Sequence, residues 1–169
     1  MTKKILIVIA PEGFQEKEYS DTRNALENAG VLVLVASLKK GEAIGARGKK
    51  AKVDFSAGEI RPEDYDGVAF IGGQGMVGLA NEPEFINLAK KFYEADKIMA
   101  AICIAPVILA NAGILKNKKA TVCGGAEEEI EKGGGIYTGR SVEIDGRIIT
   151  ANGPASASEF GEAIVKMLK

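Results

Sequence analysis

Four short, unbroken apolar runs constrain this chain more than any other feature. They occupy residues 4–10 (KILIVIA), 31–36, 67–71 and 98–102. Each lacks the polar alternation of a half-exposed strand, so each suits a strand covered on both faces, as in a parallel sheet. Helical patterns lie between them. Residues 17–29 place Tyr19, Thr22, Leu26 and Ala29 at roughly helical spacing, and Gly30 follows as a helix-ending residue. Residues 82–95 carry Pro83 early and Phe85, Leu88, Ala89 and Phe92 on one face. The first strand, helix and strand make a βαβ unit. The whole alternation predicts an α/β fold: a doubly wound, mostly parallel sheet with helices on both faces.

The remaining segments add detail. Residues 39–56, punctuated by Gly41, Gly45 and Gly48, predict a small antiparallel hairpin, and 61–64 a turn or single helical turn. Residues 119–123 predict a fifth strand, and 127–132 a short acidic helix ended by Gly133-Gly134-Gly135. Residues 137–143 and 147–151 alternate around Asp145-Gly146, a hairpin signal, and 156–168 form a last amphipathic helix. A chain of 169 residues with no repeat or linker is expected to be one domain, 1–169.

Composition excludes several kinds of chemistry. The net charge of −1 gives no reason to expect nucleic acid or an anionic membrane as partner. No run approaches the ~20 apolar residues of a membrane span. The apolar stretch after Lys4 is too short for a signal peptide core and is cut by Pro11-Glu12, so a cytoplasmic location is expected. The two cysteines, Cys103 and Cys123, sit in no C-x-x-C pattern, which argues against zinc. There is no histidine at all. A Ser-His-Asp triad, a Cys-His pair and imidazole metal sites are therefore impossible, and no metal or cofactor is expected.

In doubly wound sheets ligands bind beyond the carboxyl ends of the strands. Three unusual segments fall there: Glu12 to Glu18 after the first strand, Gly72-Gly73 after the third, and Cys103 after the fourth. Cys103 marks a sharp strand-to-helix corner. Ala101 and Ala105 supply the small residues such an elbow needs, and Pro106 suits a first helical turn. An inert core cysteine is the plain alternative, supported by Ile102 and Ile104. A thiol at a helix start would instead have its thiolate stabilised. Glu18 reads from pattern alone as a solvated helix-start carboxylate; pointing inward, it would be a proton carrier beside the thiol. Gly72-Gly73 either ends a strand or brings backbone close to Cys103. In the latter case the N–H groups of Gly73 and Ile104 would form an oxyanion hole. Cys123 reads as a structural thiol or as a resolving partner for an oxidised Cys103.

These residues together resemble the DJ-one/PfpI superfamily. The resemblance spans nearly the whole chain. It rests on the apolar first strand with Glu18 after it, Gly72-Gly73, the Ala100-Ala101-Ile102-Cys103-Ile104-Ala105-Pro106 elbow, and Tyr137-Thr138, Val142, Asp145-Gly146, Ile149-Thr150, Gly153-Pro154 and Glu159-Phe160. It implies a flavodoxin-like, class I glutamine amidotransferase-like three-layer sandwich and a homodimer or larger homo-oligomer. Cys103 matches the family's reactive cysteine, Glu18 its protonated glutamate, and Gly73 and Ile104 its backbone donors. The implied activities are glyoxalase III or deglycase chemistry on methylglyoxal-type aldehydes, peptidase or chaperone activity, and oxidative-stress sensing. Ile104 stands where peptidase-like members carry histidine, which favours the Parkinson-disease-protein branch. Cys123 stands where other members place a histidine, which shifts weight towards redox chemistry between the two cysteines. The expected partner is a small electrophile, either an aldehyde or a peroxide.

Overall fold

The computed structural model describes residues 1–169. In chain order its elements are β1 (Lys4–Val8), β2 (Glu12–Phe14), α1 (Glu16–Asn28), β3 (Leu32–Ser37), β4 (Gly41–Gly45), β5 (Lys50–Val53), β6 (Phe55–Ser56), β7 (Gly67–Phe70) and α2 (Gln74–Val77). There follow α3 (Pro83–Glu94), β8 (Ile98–Ile102), α4 (Pro106–Asn111), β9 (Lys119–Ala120), α5 (Glu127–Lys132), β10 (Ile136–Tyr137), β11 (Val142–Asp145), β12 (Ile148–Ala151) and α6 (Ala157–Leu168).

Seven strands form one sheet in the order β11, β12, β8, β7, β1, β3, β6. Every neighbouring pair is parallel except β11 with β12, which are the arms of the Asp145-Gly146 hairpin. The apolar runs are continuous because both faces are covered. In and just beyond β1, Leu6, Val8 and Ala10 enter one core while Ile5, Ile7 and Ile9 enter the other. Met99 and Ala101 of β8 likewise oppose Ile98, Ala100 and Ile102. Phe85, Leu88 and Phe92 of α3, Ile108 and Leu109 of α4 and Ile130 of α5 close the first core. Tyr19 and Leu26 of α1 and Phe160 and Ile164 of α6 close the second. Helices α1 and α6 approach closely at Gly161, where an added Cβ would lie 2.7 Å from the Cβ of Ala25. This is the expected doubly wound sandwich.

Three local expectations need correction. Residues 119–123 do not supply a fifth strand to the central sheet; only β9 is extended, and it pairs with β10 in a separate two-stranded ribbon. The place beside β8 belongs to β12. Past β9, the Thr121 N–H donates to Thr150 Oγ1 and the Cys123 N–H to the Cys103 carbonyl, both at 2.9 Å. A backbone satisfied by a side chain and a loop carbonyl does not extend a ladder. The expected strand 137–143 is split between β10 and β11, with Gly139 in the left-handed region (φ 71°) between them. Finally, β4 and β5 form the expected hairpin, but β2 adds to it in parallel and β6 returns to the central sheet beside β3.

Candidate active site

Cys103 occupies the corner between β8 and α4 with φ 65°, in the left-handed region. A non-glycine residue there costs about 1–2 kcal/mol. The conformation is held because both backbone groups are committed. The Cys103 N–H donates to the Ala151 carbonyl, and the Cys103 carbonyl accepts from the Cys123 N–H, each at 2.9 Å. Ala101 and Ala105 on either side are fully buried, and Pro106 opens α4. The side chain is thereby turned out of the sheet and left half-buried. The backbone N–H of Ile104 reaches its sulfur and favours the thiolate. Among the other non-glycine residues Asp96 and Asn117 also have positive φ, but Asp and Asn tolerate it; Cys103 is the one residue of another type that does so, and such strain at a strand end marks a candidate functional position.

Glu18 arrives from α1. Gln15 caps that helix, its side-chain oxygen accepting from the Glu18 N–H at 2.8 Å. The Gln15 N–H is itself donated to the Gly72 carbonyl at 3.0 Å. The Glu18 side chain turns inward, where Oε1 accepts from the Gly72 N–H at 3.0 Å. Of the three glutamates at this end, Glu12 is exposed, Glu16 accepts from the N–H groups of Arg47 and Lys49, and only Glu18 is buried, at 0 % exposure. Its Oε2 is sealed from water without a well-aligned hydrogen bond. Burial above all pushes its pKa up to about 9, with the Cys103 sulfur adding to the rise whenever it is ionised; the Gly72 N–H opposes them in part. At neutral pH Glu18 is therefore a carboxylic acid, able to donate a proton to a neighbouring group.

Gly72 is the glycine that closes the site. A Cβ added there would lie 2.6 Å from Cys103 Cβ and 2.9 Å from Glu18 Oε1. Gly73 does a different job. An added Cβ would lie 2.4 Å from the Gln15 nitrogen and 2.5 Å from the Gly13 carbonyl oxygen, so Gly73 packs the loop after β7 against the turn that carries Glu18. Sequence reasoning missed Gln15, Thr150 and the separate role of Gly72. The clustering of Gly13, Gly72, Gly73 and Gly75 was the available signal, because closely spaced glycines at strand ends mark backbones in near contact.

Cys123 lies beside Cys103, half-buried and free like it. Their thiols are hydrogen-bonded, and the effect is unequal. Donation to Cys123 and then burial raise the pKa of Cys103, against the pull of Glu18 and the Ile104 N–H. The same hydrogen bond lowers the pKa of Cys123. Of the two thiols, Cys123 is the one that gives up its proton more readily, and Cys103 the one that holds it. Next to Cys123, Gly124 and Gly125 are exposed and Glu127 accepts from the Gly125 N–H. No three His, Cys, Asp or Glu side chains come together as a metal site. The site thus unites Cys103, Glu18, Ile104 and Cys123, with Gly73 one step removed.

The sequence profile of the DJ-1/PfpI family matches residues 3–167. An uncharacterized protein of Methanocaldococcus jannaschii is 41% identical over 169 residues, covering 98% of this chain and 82% of its own. The crystal structure of a ThiJ/PfpI domain protein from Brachyspira murdochii superposes with a TM-score of 0.96 at 34% identity, over 99% of this chain and 96% of that one. Oxidized DJ-1 from Toxoplasma gondii gives a TM-score of 0.87 at 26% identity, over 99% and 91%.

Proposed function

The chain belongs to the DJ-1/PfpI family, and on that premise we propose that it is a cofactor-independent reactive-cysteine protein. Cys103 attacks a small electrophile, an aldehyde of the methylglyoxal type or a peroxide. The observation that supports this reading is the convergence of strained Cys103 and buried, protonated Glu18 over Gly72. As Cys103 attacks, its proton passes to Cys123, the thiol whose pKa is lowered. The oxyanion forming on an aldehyde carbon is met by the Ile104 N–H and takes its proton from Glu18. Cys103 is half-buried, which leaves its sulfur within reach of a small substrate. With no histidine in the chain, a Cys-His peptidase is excluded.

The test is consumption of methylglyoxal or hydrogen peroxide by the purified chain. Cys103→Ser should abolish it, and Glu18→Leu should lower it about 10²–10⁴-fold, the usual worth of a positioned proton donor. Undiminished consumption by Cys103→Ser would refute the reading. A second reading, an oxidative-stress sensor without turnover, draws on the adjacent thiol and on the likeness to oxidized Toxoplasma DJ-1. It predicts that peroxide is consumed once per chain and then no more. Either reading goes with a reducing compartment such as the cytoplasm, and with a homodimer or larger assembly, which sedimentation measures directly.

A further inference from the structure

We propose that Cys103 and Cys123 form a two-cysteine redox centre that reduces a hydroperoxide, Cys103 taking the oxygen and Cys123 closing an intramolecular disulfide. The inference rests on the reading of Cys103 as nucleophile, selects the peroxide as its electrophile and adds a second reacting residue.

Reach is the first requirement. The Cys123 N–H bonds directly to the Cys103 carbonyl at 2.9 Å. With standard bond lengths, that link keeps the two Cα atoms within about 7 Å, at the edge of or inside the window a disulfide spans. Both thiols are free and half-buried, and they lie near enough for each to shift the other's pKa. Registry is the second requirement. Cys103 is bonded at both its backbone groups, and so is Cys123, whose N–H donates to the Cys103 carbonyl and whose carbonyl accepts from the Ala126 N–H at 3.2 Å. The two backbones are thereby held side by side, leaving rotation of the side chains to bring the sulfurs together, with exposed Gly124 and Gly125, the latter at φ 96°, next in the chain after Cys123.

The chemistry balances as follows. The Cys103 sulfur attacks the outer peroxide oxygen, an S–O bond forms and the O–O bond breaks. The departing alkoxide or hydroxide leaves as alcohol or water with the proton that Cys103 gives up. Cys123, as thiolate, then attacks the Cys103 sulfenic sulfur. The S–S bond forms, the S–O bond breaks, and hydroxide leaves as water on taking a proton from Glu18, which regains one from solvent. Two thiol sulfurs have given up two electrons and the peroxide has received them. A small dithiol reductant restores both thiols by exchange. The rival fate of the sulfenic acid is a second peroxide, which gives a sulfinic acid. That step is bimolecular, whereas attack by the neighbouring sulfur is intramolecular and favoured by its effective concentration.

The experiment uses the reduced full-length chain, one equivalent of hydrogen peroxide, alkylation of the remaining thiols, and peptide mass spectrometry without reduction. The expected result is a mass lower by two hydrogens, a Cys103–Cys123 linkage within a single chain, and recovery of both thiols with dithiothreitol. Cys123→Ser should instead give a dimedone-trapped sulfenic acid on Cys103 that proceeds to the sulfinic acid. Its peroxide turnover with dithiothreitol should fall at least tenfold. A wild-type chain carrying sulfinic acid on Cys103 with Cys123 still free, or a disulfide between chains, overturns the proposal. If the wild type keeps both thiols in peroxide yet consumes methylglyoxal through Cys103, the redox centre falls and the nucleophile reading stands. If Cys103→Ser is oxidised at Cys123 while Cys123→Ser is inert, both fall.

Discussion

Replacing Glu18 by Gln removes an ionisable group while keeping its shape. The Gln oxygen can still accept from the Gly72 N–H, as Glu18 Oε1 does at 3.0 Å, and the amide N–H₂ can take the place of the carboxylic O–H. The two chains should therefore differ mainly in titration. In the folded chain the Glu18 pKa is raised from 4.5 to about 9 by burial and the Cys103 sulfur. Below the lower value the side chain is protonated both folded and unfolded, and it imposes no ionisation penalty. Between the two values only the folded chain holds the proton, so stability falls as pH rises, by about 1.4 kcal/mol per pH unit. Glu18→Gln abolishes that loss. It should match the parent within about 1 kcal/mol at pH 4 and exceed it by about 3 kcal/mol at pH 7. The gap should widen until the folded carboxyl itself ionises. Urea unfolding of both chains under reducing conditions, at intervals from pH 4 to 8.5, measures the difference. A gap that stays constant with pH would refute the claim that Glu18 is buried as the neutral acid. It would also remove Glu18 as the proton donor of the site.

Substitutions at three positions probe the same construction. Gly72→Ala places a methyl 2.6 Å from Cys103 Cβ. It should cost about 1–3 kcal/mol as an overpacked site and change the rate at which iodoacetamide labels Cys103; unaltered stability and labelling would contradict the close approach. At Cys103, with φ 65°, the usual order of small residues should invert. Cys103→Gly should be more stable than Cys103→Ala by up to about 1 kcal/mol, because the strain glycine escapes exceeds its entropic cost; urea midpoints give the sign. Thr150→Val leaves the buried Thr121 N–H without its acceptor at 2.9 Å. A loss of about 1–3 kcal/mol is expected, with faster hydrogen exchange at Thr121 as the local signature.

Much of this molecule is written locally. The runs at 4–10, 31–36, 67–71 and 98–102 show no alternation of polar and apolar residues, and sequence alone therefore determined that they are strands of a sheet covered on both sides. That in turn requires helices above and below, which supplies the sandwich. The corner at Cys103 is equally local, since Ala101, Ala105 and Pro106 are residues a tight strand-to-helix turn needs. The absence of histidine limits the chemistry without any coordinates. Other features depend on partners far along the chain. Segment 119–123 is apolar enough for a sheet strand, yet its N–H groups meet Thr150 Oγ1 and the Cys103 carbonyl, and no neighbour-by-neighbour pattern reveals that.

Glu18 shows the divide best. Beside Glu12 and Glu16 at a helix start it looks like one more solvated carboxylate. Only the loop after β7, some fifty residues away, buries it and supplies the Gly72 N–H that holds it. The same holds for the state of the thiols. The sequence placed a cysteine at an elbow, but its protonation depends on Cys123 and Glu18, brought to it from separate elements. Secondary structure follows from short-range sterics and the rhythm of burial, which a chain carries along its length. A pKa depends on which groups share a few ångströms of low-dielectric space, and only the folded arrangement brings those groups together.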